Sequence, residues 1–344
     1  MKKPPLDLSL WVILWLVGLT FTLAYNHSFI ECASRPFGKG DLVHYMQMFD
    51  GKVDLHHSFL IWQISSLSQI TGLSNAEVFA WTAAFKAWFI IPFLIFIYSC
   101  SLTSKPWPGL WSAGLWLFGS WMMWTHLVLG VHAQMEGFMW YLLWGCCHHL
   151  KRRGASGIDI SSVYYGSLVM ALISYPLTGI VFLIHYWFYP WCDKRVLVGA
   201  TIFACIYVIT RTPDLSVFLI GSEVNVNTMI MLAPFAWLWF MKFIWHDHIS
   251  KDPNMLDIEY GLIFMVGLGL NNHRLAFYAI PYIYAMISRD IWDNRFSKAL
   301  RILIVIFTIW YTWTSFQFFI EQMWAEIEIE GTTGLSCLKS LVSE

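Results

Sequence analysis

Charged residues are scarce in this sequence. Only 12% of its 344 residues are Asp, Glu, Lys or Arg, whereas a soluble domain is usually about 25% charged. The net charge of −1 implies no polyanion-binding surface, and the sequence carries no nucleic-acid recognition motif. The seven cysteines include no Cys-x-x-Cys pair and no spacing typical of a metal site. Internal repeats, low-complexity tracts and linkers are also lacking, so we interpret residues 1–344 as a single domain.

Apolar and aromatic residues take the place of charge. Hydrophobic residues make up 58% of the chain and aromatic residues 18%, with 21 tryptophans. A membrane-spanning helix needs about 20 apolar residues, and many of the tryptophans flank apolar runs, as in the aromatic belts of membrane proteins. We therefore predict an all-α polytopic membrane protein with about eleven transmembrane helices. The predicted spans are Leu8–Tyr25, Ala76–Ser99, Gly109–Leu129, Gln134–His149, Ser161–Ser174, Pro176–Trp191, Val196–Thr210, Asn227–Trp245, Ile258–Leu270, Leu275–Ile287 and Ala299–Ile320.

The distribution of Lys and Arg predicts which way these helices run. Residues 161–191 are interrupted at Tyr175–Pro176, so they form either one long helix or a hairpin of two short ones. With the hairpin, thirteen Lys and Arg residues fall on the cytosolic side and six on the outer side, as the positive-inside rule requires. The hairpin is therefore preferred. It places the N-terminus, interpreted as a retained first helix, inside, and residues 26–75 and 321–344 outside.

The predicted outer loop 26–75 is the most polar long connection in the chain. Its stretch 38–60 reads GKGDLVHYMQMFDGKVDLHHSFL and concentrates acids and histidines. Asp41 begins a short helical pattern in which His44 and Tyr45 share its face. A carboxylate above a membrane cleft can act as a general base or hold a divalent metal, and it can equally be a helix N-cap. Phe59–Ile70 is too short and polar to span, which favours an interfacial helix.

Further candidate residues lie near the predicted outer ends of spans. Glu136 either caps the helix that follows it or points into a cleft. Arg274 and Arg211 either snorkel to lipid headgroups or bind a lipid-linked phosphate, because guanidinium holds phosphate in a bidentate fork. Lys86 lies in the middle of the second span, where it pairs with an acid or donates to backbone carbonyls.

These features resemble the GT-C superfamily of membrane glycosyltransferases, which take sugars from polyprenyl-phosphate carriers and include protein O-mannosyltransferases and the aminoarabinose transferase of lipid A. Members have a long first outer loop with an early acid and a Tyr four residues later, like Asp41 and Tyr45. A His-Pro-Pro-Leu-like element follows, and it reads His57-Ser58-Phe59-Leu60 here, without the prolines. Thr71-Gly72-Leu73-Ser74, the broken pair Ser161–Trp191, and Arg274 followed by Pro281 are also similar.

The resemblance implies a GT-C-like bundle that acts as an inverting glycosyltransferase on the outer or lumenal face of a bacterial inner membrane or eukaryotic endomembrane. The donor would be a polyprenyl-phosphate-sugar, and the acceptor a hydroxyl group that the sequence does not identify. Asp41 would be the general base, and Arg274 with Arg211 would bind the donor phosphate. The cleft would be lined by His44, Tyr45, Asp50, His56, His57 and Glu136.

Several points stay open in this interpretation. A divalent metal is neither required nor excluded, and Asp41, Glu136 and His57 would hold one. Only about 20 residues follow the last predicted span, so an acceptor-binding domain is either absent or supplied by a partner subunit. A lipid-linked polysaccharide polymerase or ligase is one alternative function. A transporter or non-enzymatic membrane subunit is another, and it predicts charged residues along a path through the bilayer midplane.

Overall fold

The computed structural model describes most of the predicted helical core of the chain. It covers residues 57–119, 132–175, 177–188, 255–269, 273–293 and 295–311, and single residues at 12, 13, 16, 20, 45, 47–49, 51, 194, 198, 199, 201, 202, 205, 239, 313 and 314. Regular structure within these ranges is helical throughout and includes no strand. The all-α class predicted from the sequence is therefore confirmed.

The helices follow the apolar runs of the sequence. Their bounds are α1 Ser58–Thr71, α2 Asn75–Thr103, α3 Pro106–Gly119, α4 His132–Arg152, α5 Ile158–Ser174, α6 Thr178–Phe188, α7 Met255–Gly269, α8 His273–Ala276 continuing through the 3₁₀ turn Phe277–Ala279 into Ile280–Trp292, and α9 at 298–311. Helix α2 contains a π-helical turn, Lys86–Ile90.

Helix α2 has the length and composition of a membrane span. Among the described residues it is the one helix long and apolar enough to cross a bilayer, while Ile158–Ser174 and Thr178–Trp187 are apolar but shorter. It matches the predicted span Ala76–Ser99. The predicted spans Leu8–Tyr25, Val196–Thr210 and Asn227–Trp245 lie almost wholly outside the described residues, so the number eleven stays a prediction.

The junction between α1 and α2 is built by local sequence signals. Gly72 ends α1 in the left-handed conformation, with φ of 74°, and its N–H donates to the carbonyl of Ser68. This conformation favours glycine because it has no Cβ. Ser74 then caps α2 in a reciprocal capping box with Glu77, a pattern worth about 0.5–2 kcal/mol. A tight corner therefore joins the two helices.

Residues 158–188 form the hairpin that the positive charges predicted. Helix α5 ends before Tyr175, and α6 begins at Thr178. Trp144 of α4 contacts Tyr164 of α5 and Phe182 of α6, with ring centroids 5.7 and 4.7 Å away. Because one point of α4 touches the middle of both helices, the two run side by side in opposite directions.

The turn of this hairpin packs closely against a glycine of α4. A Cβ built on Gly137 of α4 would lie 2.6 Å from the Cβ of Tyr175. The same device joins α7 to α8, where a Cβ on Gly267 would lie 2.4 Å from the backbone nitrogen of Ala276. Real side chains do not approach this closely, so glycine permits both contacts.

The bundle has two chemically different ends. At the basic end, formed by Lys105, Lys151, Arg152, Arg153 and Arg289, the ammonium of Lys105 pairs with Asp293 and holds the pKa of that carboxyl below its usual value. At the same end, Arg153 donates to the Ser104 hydroxyl and the Leu102 carbonyl, which ties α4 to the end of α2.

The opposite end, which we call the loop end, is formed by Tyr45, His57, the start of α2 and the start of α4. Residues of the first loop are buried here against the bundle rather than held above it.

Candidate functional site

Two first-loop residues predicted to line the cleft lie together at the loop end. Tyr45 is 1% exposed, and its hydroxyl accepts a hydrogen bond of 3.4 Å from the backbone N–H of Ala133, at the start of α4. The His57 ring meets the Tyr45 ring edge-on, with centroids 5.0 Å apart. A loop tyrosine and histidine therefore close over the first turn of α4. Asp41, His44, Asp50, His56 and Arg211 lie outside the described residues.

A buried ion pair between Lys86 and Glu136 lies next to these residues. Lys86 is 9% exposed and Glu136 2% exposed, and the ammonium contacts Oε2 of the carboxylate. The other oxygen, Oε1, accepts a hydrogen bond of 2.8 Å from the Trp140 indole and a longer one of 3.5 Å from the Gln63 amide. The carboxylate of Glu136 therefore joins α1, α2 and α4.

The π-helical turn at Lys86–Ile90 begins at this ion pair. A π-helical turn inserts one residue into an α-helix and is found mostly at functional sites. It changes the phase of α2 where Lys86 turns inward among apolar neighbours, where an unpaired charge would cost several kcal/mol. The local distortion and the buried charge thus occur at the same residue.

These contacts rule out one alternative for Glu136 and select one for Lys86. The capping role considered for Glu136 is wrong, because the residue lies beyond the first turn of α4 and its side chain pairs with Lys86. Lys86 pairs with an acid, as one of its two alternatives predicted. Because both oxygens of Glu136 are engaged by protein donors, a metal would have to displace Lys86 or Trp140. Within the described ranges, no group of three or more His, Cys, Asp and Glu could hold a metal ion.

Arg274 begins its helix at the same end of the bundle. It lies in the first turn of α8, three residues before Phe277, whose ring is 4.2 Å from that of Phe138. Phe138 in turn follows Glu136 by two residues along α4. Helix α8 runs from there towards the basic end, where Trp292 stacks on Trp107. With about 1.5 Å of rise per residue, the backbone of Arg274 lies at about the depth of Glu136.

The structure also reveals a buried polar cluster that the sequence reasoning missed. His185 of α6 contacts Oε1 of Glu259 on α7 through Nδ1 and the hydroxyl of Tyr141 on α4 through Nε2, the latter at 2.8 Å. His185 is 1% and Glu259 0% exposed. The sequence did contain a signal for this cluster. His185 and Glu259 both lie inside predicted spans, where an imidazole and a carboxylate need polar partners. We call Tyr141, His185 and Glu259 the central triad.

One pocket in the described part of the chain belongs to neither site. It has a volume of about 260 Å³ and lies between α3 and α9. Its lining is Leu110, Trp111, Gly114, Leu115 and Thr308. An apolar pocket of this kind suits a lipid chain better than a sugar phosphate, and none of the candidate residues contributes to it.

Comparison with known proteins gives no match for this chain: no protein-family model, no curated protein and no solved structure matches it.

Proposed function

We propose that this chain is a multi-pass membrane glycosyltransferase that moves a sugar from a polyprenyl-phosphate carrier to a hydroxyl acceptor. The observation that supports it most is the convergence at the loop end. Tyr45 and His57 of the first loop, the Lys86–Glu136 pair and the start of the Arg274 helix all lie at one end of the bundle. Transfer from a lipid carrier needs such a cluster at one membrane surface, because donor headgroup and acceptor meet there.

The outer surface of the helices supports the membrane assignment. Large apolar side chains are exposed on several of them, including Trp187 at 81%, Ile70 at 80% and Trp62 at 64%. Along α9 the exposed apolar residues succeed one another, at Ile302, Leu303, Ile306, Ile309 and Trp310. A soluble monomer rarely exposes apolar surface on this scale, whereas lipid tails would cover it at no cost.

The proposed reaction uses the predicted residues in distinct roles. Asp41 takes the proton of the acceptor hydroxyl as the oxygen attacks the anomeric carbon. The bond from that carbon to the carrier phosphate oxygen breaks, and the configuration is inverted. Arg274, with Arg211, holds the phosphate as it leaves with its extra negative charge.

Glu136 has a positioning role in this proposal. It fixes the ammonium of Lys86 and ties α1 to α4 through Gln63 and Trp140. His57 and Tyr45 close the site on the loop side. None of these steps uses a metal bound by the described residues. A metal bound with the help of Asp41 would act in addition to them.

The test is sugar transfer by the purified protein in nanodiscs supplied with a mixture of polyprenyl-phosphate sugars. We expect Asp41→Asn and Arg274→Ala each to lower transfer by at least about 100-fold, the range for a lost general base or phosphate ligand. Asp159→Asn, on the exposed first turn of α5, and Arg295→Ala, 55% exposed at the basic end, are matched controls that should keep full activity. Folded Asp41→Asn and Arg274→Ala proteins with unchanged transfer would refute the site.

A transporter is the second candidate, and one observation favours it. The alternative predicted charged groups at mid-depth, and the central triad places a buried carboxylate and imidazole inside the bundle, away from the loop end. Solute uptake into proteoliposomes without any sugar transfer would support this function. Transfer that depends on Asp41 would support the glycosyltransferase.

A further inference from the structure

The central triad is a titratable group enclosed by protein on all sides. The imidazole of His185 lies between a carboxylate and a phenol, with Glu259 at Nδ1 and Tyr141 at Nε2. The second carboxylate oxygen of Glu259, Oε2, meets no hydrogen-bond partner among the residues that the structure describes. Nothing else in that part of the chain therefore compensates an ionised carboxylate at this position.

Counting protons shows what this arrangement requires. An ionised Glu259 beside a neutral His185 would leave a net negative charge in a fully buried place, which costs several kcal/mol. One shared proton removes that charge, either as imidazolium with carboxylate or as imidazole with carboxylic acid. Both forms are neutral, and the proton moves between them along one hydrogen bond. The His185–Glu259 pair therefore holds one proton, because no Lys or Arg side chain among the described residues neutralises the carboxylate in its place.

Among the described residues, no salt bridge joins the triad to a charged side chain other than its own members. The neighbouring elements bring mainly phenols and imidazoles to it. These titratable neighbours are Tyr98 of α2, His148 and His149 of α4, Tyr164 of α5, Tyr260 of α7, and Tyr278 and Tyr282 of α8. The nearest permanent cations along α4 are Lys151 and Arg152, at the basic end.

A line of hydroxyl and imidazole groups leads from the triad towards that end. The Tyr260 ring is 5.2 Å from His185, and its hydroxyl accepts a hydrogen bond of 2.6 Å from the Tyr98 hydroxyl. The His149 ring lies 5.1 Å from that of Tyr98. His149 is 3% exposed, its Nε2 has no partner within the described ranges, and it is followed by Lys151 and Arg152. Each group can receive a proton on one side and release one on the other.

We propose that the central triad is an exchangeable proton site, loaded from water at the basic end through His149, Tyr98 and Tyr260. The ligand is a proton, and no bond between heavy atoms changes. A proton enters at His149, is relayed by the hydrogen-bonded hydroxyls of Tyr98 and Tyr260, and reaches the His185–Glu259 pair. The steps from His149 to Tyr98 and from Tyr260 to His185 join rings in contact, so a side chain must rotate to form the hydrogen bond for each. The inference does not depend on the proposed glycosyl transfer, since none of these residues belongs to that site.

The test is infrared spectroscopy of the protein in nanodiscs during a pH titration. Loss of the proton should appear, as pH rises, as the loss of the carboxylic-acid carbonyl band of Glu259 or, for the other form of the pair, of the imidazolium band of His185, with release of about one proton per chain. Glu259→Gln should abolish that band. Glu77→Gln, a matched change in an exposed capping box that tolerates Gln, should leave it. The proposal is overturned if the titration difference spectra of wild-type protein and Glu259→Gln are the same, with neither a carboxylic-acid nor an imidazolium band lost in the variant.

Two phenylalanine variants keep the test decisive if Glu259→Gln does not fold. Tyr141→Phe removes only the hydroxyl that contacts Nε2 of His185, and it should move the midpoint of the band. An unchanged midpoint would contradict the triad. Tyr98→Phe interrupts the route and should slow proton exchange after a pH jump at least several-fold, while the midpoint stays. An unchanged rate would refute the route from the basic end.

Discussion

Lys86 and Glu136 each depend on the other, because both charges are almost fully withdrawn from solvent. We predict that Lys86→Met or Glu136→Gln alone lowers the free energy of unfolding by about 3–5 kcal/mol, since each leaves the partner charge buried and uncompensated. The double variant should recover most of this loss. Reversible unfolding in mixed micelles measures all three, and strictly additive losses would show that the pair is not coupled.

The Lys105–Asp293 pair offers a matched control at the basic end. Its side chains are 44% and 24% exposed, so water screens both charges. Lys105→Met or Asp293→Asn should therefore cost only about 0–1 kcal/mol. The comparison separates the effect of burial from the effect of pairing, because the same kinds of charge meet in both places.

At the scale of the elements, glycine decides where helices touch. We predict that Gly137→Ala costs about 1–3 kcal/mol, because its Cβ would overlap the Cβ of Tyr175 at the turn between α5 and α6. Gly166→Ala, on an exposed face of α5 where a Cβ meets nothing within 4 Å, should instead stabilise by about 0.5–1 kcal/mol. Thermal unfolding followed by circular dichroism measures whether each variant is less or more stable than the wild type. Equal effects from the two changes would contradict the close approach at Gly137.

Local sequence signals are enough to specify some of the helices. Phe59–Ile70 was predicted as a helix, and Ser58–Thr71 is one, because Gly72 and the Ser74 capping box end and begin helices through contacts within a few residues. The hairpin at Tyr175 is predicted by Pro176 together with the distribution of Lys and Arg, and two separate helices flank this point. No local signal predicts the π-helical turn at Lys86, and the buried partner of Lys86 lies fifty residues away in the chain.

For the molecule as a whole, the central prediction is sidedness. We predict that Gln69→Cys, at the loop end, and Ser156→Cys, at the basic end, react with a membrane-impermeant maleimide from opposite sides of the membrane. The seven natural cysteines would be replaced by serine beforehand. Gln69→Cys should react in intact cells, and Ser156→Cys only after permeabilisation, because Lys and Arg concentrate on the cytosolic side. Reaction of both positions in intact cells would contradict a bundle with two membrane faces.

Composition and local pattern are enough to specify an all-α chain, most helix bounds, the corner between α1 and α2, and the hairpin. Each of these depends on residues a few positions apart, or on the water-to-membrane transfer of whole segments. The sequence also predicted that Tyr45, His57 and Glu136 lie in one region, but it did not predict which residues each of them contacts.

Pairings between distant helices needed the tertiary structure. Lys86 with Glu136, and His185 with Glu259, join residues 50 and 74 positions apart. Neither pairing follows from periodicity. Helical periodicity shows which polar residues face inward, but several of them could serve equally well as the partner. Packing of whole helices selects the partners, and a buried charge without its partner is too costly to persist, so only the folded bundle decides which polar groups meet.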